Sequence, residues 1–178
     1  MAVQDMDVCV TEKITATKYR YMLGLGSNEY AEVRLPAIVD ALLRECGALH
    51  LSPVCRTAPS HGKGPDYLNA IVSLESVLPP TNFRTLCKSI EASLGRVRPS
   101  DSCAADIDIL AVWNQPEKTC AVAFIDEAYL QPMADAVLES LELYDGESPK
   151  TFKGFVCVPV ILADQRVVGI QTTKLSSF

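Results

Sequence analysis

Hydrophobic and polar positions follow two different periods along this chain, and the changes of period fall at Gly and Pro residues. Residues 19–25 read as a strand that stops at Gly24-Leu25-Gly26-Ser27-Asn28. Over residues 29–46, Val33, Ile38, Val39, Leu42 and Leu43 recur at helical spacing, and Gly47 follows where a terminating glycine belongs. Pro36 lies inside that pattern, so the regular helix is expected to begin near Leu35. Residues 48–57 read as a strand that runs into a Gly- and Pro-rich loop, 58–65. Residues 67–77 alternate, with Tyr67, Asn69, Ile71, Ser73 and Glu75 against Leu68, Ala70, Val72 and Leu74, the pattern of a half-buried strand. Pro79-Pro80-Thr81 opens a second helix carrying Phe83, Leu86, Ile90 and Leu94 on one face, and Gly95 ends it.

Further strands are expected over residues 106–113 and 121–125, and a third helix over 132–143 with Met133, Ala136, Val137 and Leu141 inward. The tail reads as a hairpin in which the apolar run 155–163 turns at Asp164-Gln165-Arg166 into 167–172. The order βαββα followed by strands predicts an α+β fold, a ferredoxin-like layered sandwich around a mostly antiparallel sheet.

A chain of 178 residues of ordinary apolar content is long enough for one core, so residues 19–178 read as a single domain and the polar residues 1–18 as an extension. A net charge of −6 argues against a nucleic-acid partner. The absence of a long apolar run or a signal-like N-terminus argues against a membrane and makes a soluble, cytoplasmic protein the expectation. Seven cysteines without CxxC spacing fit buried thiols in a reducing compartment better than a disulfide framework or a zinc site. The pattern does not fix an oligomeric state, although the tail hairpin offers an edge strand for pairing between subunits.

Asp106-Ile107-Asp108 is the strongest chemical signal. Residues two apart on a strand share a face, so both carboxylates project into one volume, where a divalent cation relieves their repulsion. A solvated strand end would have the same spacing. Gly26, Ser27 and Asn28 lie in a segment that permits close backbone approach to a ligand, or simply caps a helix. Arg96 and Arg98, after a helix containing Glu91, suit forked phosphate contacts or a basic last turn. Tyr67 and Asn69 set a ring and a carboxamide on one strand face, a combination that fits a planar heterocycle or an ordinary sheet surface.

Together, Gly24-Leu25-Gly26-Ser27-Asn28, Arg56-Thr57-Ala58-Pro59, Pro65-Asp66-Tyr67-Leu68-Asn69-Ala70, Glu91 with Gly95-Arg96-Val97-Arg98, and Asp106-Ile107-Asp108-Ile109 resemble the 6-hydroxymethyl-7,8-dihydropterin pyrophosphokinase family over about residues 21–113. The resemblance implies an α/β/α-layered domain that moves the β,γ-pyrophosphoryl group of ATP to a pterin hydroxymethyl oxygen and releases AMP. It assigns two magnesium ions to Asp106 and Asp108, and places Arg96 with them in the catalytic group. It lays Tyr67 against the pterin, gives the pterin edge to Asn69 and to the backbone around Thr57 and Ser60, and puts Gly26, Ser27 and Asn28 beneath it. Glu91, Arg96 and Arg98 fall to the nucleotide side. The partners it implies are a small pterin and ATP.

The chain also departs from that pattern. Residues 99–105 are shorter than the family's usual loop and lack its Trp and Arg. Where the family carries a Pro-His-aromatic segment with a following Arg and Phe, this chain has Asp126-Glu127-Ala128-Tyr129-Leu130-Gln131-Pro132. Lys63, Arg84 and Lys88 are the cations left to fill that gap. The alternatives are a pterin- or nucleotide-binding protein that has lost catalysis, or a related enzyme that moves phosphate between other small molecules.

Overall fold

The computed structural model describes residues 17–59, 62–97, 102–114, 125, 127–143, 152 and 154–177. Ser60, Arg98 and the expected strand over 121–124 lie outside them.

The element order is β1 (Tyr19–Ser27), α1 (Ala31–Cys46), β2 (Ala48–Leu51), β3 (Cys55–Thr57), β4 (Tyr67–Ser76), α2 (Pro80–Ser93), β5 (Asp106–Asn114), α3 (Gln131–Ser140), β6 (Val156–Cys157), β7 (Val160–Ile161), β8 (Val167–Val168) and β9 (Thr173–Ser176). The main sheet runs β5-β1-β4-β2-β9, with β3 beside β4 and β6 beside β3, and every pair is antiparallel. This is the ferredoxin-like order, in which α1 joins β1 and β2 on either side of β4, and α2 joins β4 and β5 on either side of β1.

Alternation along the central strands sorts side chains to two cores. Tyr21, Leu23, Leu25, Leu68, Ala70, Val72 and Leu74 meet the inner faces of α1 and α2. Met22 and Ile71 meet Met133, Val137 and Leu138 of α3 on the opposite face. The result is three layers, α/β/α, as expected.

Several local expectations change. The first helix starts at Ala31, not near Leu35, because the Val33 and Arg34 N–H groups already bond the Tyr30 carbonyl, and Pro36 removes only one later donor. Val33 points to solvent, and Leu35 takes the buried position. The strand expected over 48–57 is broken by Ser52-Pro53-Val54. Pro53 has no N–H to give, and the Ser52 hydroxyl accepts the Ile71 N–H at 2.9 Å in place of a ladder bond. Strand β4 is buried on both faces rather than one, since α3 covers the side left to solvent in the sequence reading. Helix α3 stops at Ser140, with Ala134 and Leu138 deeper than Ala136 and Leu141.

The tail hairpin shrinks to β7 and β8. The residues on either side of it join the chain's own sheet, β6 on β3 and β9 on β2.

Tyr21 anchors the α1/α2 core. Its ring stacks on Phe83 with centroids 3.9 Å apart, and its hydroxyl donates to the Leu78 carbonyl at 2.6 Å. Phe83→Ala is expected to lower unfolding free energy by about 3–5 kcal/mol in urea denaturation. A change below about 1 kcal/mol would mean that this stack does not organise the core.

Candidate active site

Strand β1 has no side chain at Gly24 or Gly26. The register sets Gly26 between Asn69 of β4 and Asp106 of β5, and Gly24 between Ile71 and Asp108. The α3 face of the sheet therefore holds a bare strip with carboxylates on one side and a carboxamide on the other. A Cβ at Gly26 would stand 3.1 Å from Asn69 Oδ1 and 3.9 Å from Asp106 Cβ, so a side chain there would crowd both flanks. Above the strip lies a cavity of about 790 Å³, within the range of small-molecule sites. Its lining includes Gly26, Asn28, Thr57, Lys63, Tyr67, Asn69, Asp106, Asp108, Glu127 and Tyr129.

The two aspartates are placed as the spacing implied. Asp106 and Asp108 face the cavity while Ile107 and Ile109 pack into the α1/α2 core. Arg96 stands beside the cavity, its Nη2 3.7 Å from Asp106 Oδ1, and its buried Nε has no hydrogen-bond partner among the described residues. The paired carboxylates are hard oxygen donors of the kind magnesium takes, and they face a volume with room for phosphate oxygens to complete its shell. Among the described residues no group of three or more His, Cys, Asp or Glu gathers as a cation cage, so the remaining ligands would come from water and substrate.

On the other flank, Asn69 Nδ2 donates to Thr57 Oγ1 at 2.7 Å. That bond fixes the carboxamide plane and leaves the Thr57 proton free to donate. Tyr67, half-buried, is next on the same face of β4.

Two expected residues, Ser27 and Glu91, sit outside the cavity lining. The segment read as a strand-to-helix loop is still strand through Ser27, and its backbone pairs with β4 and β5. The Ser27 hydroxyl is buried and donates to the Ala104 carbonyl at 2.8 Å, outside the cavity lining. Asn28 does line the cavity, and its Oδ1 accepts the Cys103 N–H at 2.7 Å, tying the end of β1 to the approach of β5. Glu91 lies beneath β5. It is 2% exposed, its Oε1 accepts the Ile107 N–H at 2.9 Å, and Lys88 Nζ lies 2.7 Å from it. Lys88 is thereby committed, and of the three cations left to fill the gap only Lys63 lines the cavity.

Leu110, Glu127, Tyr129 and Leu130 were not picked out by sequence. The last three come from the segment that departs from the family pattern, which carries no period or spacing to mark it. Burial and the carboxylates of Glu127, Asp108 and Asp106 raise the Tyr129 hydroxyl above the ordinary phenol value. Removing one of those charges should lower it. Asp108→Asn is expected to bring the Tyr129 pKa back toward 10, read as phenolate ultraviolet absorbance against a Tyr129→Phe control. No movement would place Tyr129 out of reach of the aspartate pair.

No curated protein matches the chain. The family model for 7,8-dihydro-6-hydroxymethylpterin-pyrophosphokinase matches residues 22–143, which span the glycine strip, the Thr57–Asn69 flank, the aspartate pair and all of α3. On that match, over more than half of its length, the chain belongs to the 7,8-dihydro-6-hydroxymethylpterin-pyrophosphokinase family.

Proposed function

We propose that this member of a pyrophosphokinase family of folate biosynthesis transfers pyrophosphate from ATP to 6-hydroxymethyl-7,8-dihydropterin, with AMP as the other product. The observation that carries this reading is the glycine strip, which brings a heterocycle-binding flank and a metal-type carboxylate pair to opposite sides of one cavity.

Tyr67 offers a ring face to the pterin plane, while Asn69 and Thr57 present polar groups to its edge. The absence of side chains at Gly24 and Gly26 lets the flat ring system lie close to the sheet. Its hydroxymethyl group would then extend toward Asp106 and Asp108. The hydroxymethyl oxygen attacks the β-phosphorus, the bond from that phosphorus to the α,β-bridging oxygen breaks, AMP leaves and the hydroxyl proton is lost. Magnesium bound with ATP supplies neutralisation of phosphate charge. Asp106 and Asp108 would hold two such ions, and Arg96, whose Nη2 lies 3.7 Å from Asp106 Oδ1, would add positive charge beside the phosphates. Positioning the two substrates in line is the main catalytic contribution left to the protein.

The electrostatics make nucleotide binding depend on a divalent cation. Among the described residues Asp106, Asp108 and Glu127 line the cavity against Lys63 as the one cation, so an uncompensated tetraanion would meet repulsion there. The same acidity favours a second reading, a pterin-binding protein of this fold without transfer. Glu127 occupies the lining in a segment where the family resemblance leads one to expect a cation.

Turnover assays separate the two. With the reduced pterin, ATP and magnesium the first reading gives AMP in equal amount to pterin pyrophosphate, and no AMP at high enzyme concentration would leave only the second. Asp108→Ala is expected to remove magnesium-dependent nucleotide binding while pterin binding persists. Asn69→Ala should weaken pterin binding by about tenfold to a hundredfold, the cost of about 1–3 kcal/mol for a lost hydrogen-bonding group.

A further inference from the structure

Helix α3 divides its face of the sheet into two cavities. The active-site cavity opens at its N-terminal end, beside Tyr129 and Leu130. A second, of about 550 Å³, opens at its C-terminal end, where Leu141 meets the start of β1, the end of β4, β2 and β9. The chemistry of the two is opposite: the first is lined by Asp106, Asp108 and Glu127, the second by Lys18, Arg20, His50 and Lys174 against Glu45 and Glu75.

The register builds a row of donors across this second cavity. Lys174 of β9 pairs with His50 of β2, and His50 pairs with Ser73 of β4, so the three side chains stand shoulder to shoulder on the α3 face. Each has hydrogen-bonding capacity to spare. Ser73 is 0% exposed, and its hydroxyl has no partner. One ring nitrogen of His50 meets Ser140 Oγ at 3.0 Å, leaving Nε2 without a partner among the described residues. Lys174 has no carboxylate at ion-pair distance among the described residues. Next to the row, Arg20 is ion-paired with Glu75, and its buried Nε has no partner among the described residues.

His50 and Lys174 line the cavity with donors to spare, which suits an occupant with acceptor atoms. The charge balance selects its sign. Lys18, Arg20 and Lys174 line it against Glu45 and Glu75, which leaves positive charge in excess. Burial, Lys174 and Arg20 together push His50 below the ordinary imidazole value, as a positive local potential does.

We propose that this cavity is a second ligand site, one for a small phosphate-class oxyanion held by Lys174 and His50. An anion there favours the imidazolium over the imidazole, so binding takes up a proton and tightens as pH falls through the depressed His50 pKa. The cationic groups facing His50 are Lys174 from β9 and Arg20 and Lys18 from β1. The acidic ones are Glu75 from β4 and Glu45 from α1, and α3 contributes only the Ser140 hydroxyl.

Histidine-ring NMR of the full chain tests this. The sequence has two histidines, so His50→Gln assigns the signals and His61 serves as reference. Titration with inorganic phosphate should give a saturable shift of the His50 resonance and raise its pKa. Lys174→Gln should weaken that response about tenfold or more, and Asp108→Asn should leave it unchanged. Lys174 is exposed, so its replacement does not threaten folding. An identical shift with chloride at equal ionic strength would reduce the effect to screening and overturn the proposal. So would an equal response to acetate, an unaltered response in Lys174→Gln, or no saturable shift at all.

Discussion

Strand β1 is paired on both sides along its length, and at Gly24 and Gly26 it has nothing to hold its neighbours' side chains apart. Everything in the active-site cavity depends on that constraint. Asn69 and Asp106 are brought to either side of one glycine because antiparallel register leaves no choice of partner once Tyr21, Leu23 and Leu25 are committed to the opposite core. A slip of one residue would turn the glycines into the α1/α2 core and the leucines into the cavity.

The position of β5 needs a second constraint, because its first residues carry the aspartates and, among the described strands, it lies at an end of the sheet. Glu91 supplies one anchor, a buried carboxylate that accepts the Ile107 N–H and is balanced by Lys88. A lone buried carboxylate would be costly, whereas one with an ammonium and a backbone donor is held in place. Asn28 and Ser27 supply another through Cys103 and Ala104. Residues grouped by sequence with substrate binding therefore divide into two sets. Asn69, Thr57, Tyr67, Asp106 and Asp108 face the cavity, while Glu91 and Ser27 hold the strands that present them.

That division marks what the sequence could and could not reveal. The strand period made the shared face of Asp106 and Asp108 legible, and proline and glycine punctuation located α2 closely. Family motifs then picked out both flanks of the cavity. A motif, however, records that a residue type recurs at a spacing and not whether its side chain points to ligand or to protein, which is why Glu91 and Ser27 were grouped with the binding residues. The second face of β4 was read as solvated because alternation in one strand cannot show that α3, more than fifty residues on, will cover it. Tyr129 and Glu127 carried no period at all. Their place beside the aspartates comes from the docking of α3. The small tail strands were equally illegible, since β6 and β9 are defined by the edges they complete and not by their own pattern.

The central claim is that one cavity holds a heterocycle and a metal-bound polyphosphate on opposite flanks of the glycine strip. Calorimetric titration with 6-hydroxymethyl-7,8-dihydropterin and a non-hydrolysable ATP analogue, each with and without magnesium, tests it most directly. The account predicts pterin binding in either condition, nucleotide binding only with magnesium, and both together in a ternary complex. Nucleotide binding that is indifferent to magnesium, or pterin that competes with the nucleotide instead of joining it, would contradict the account.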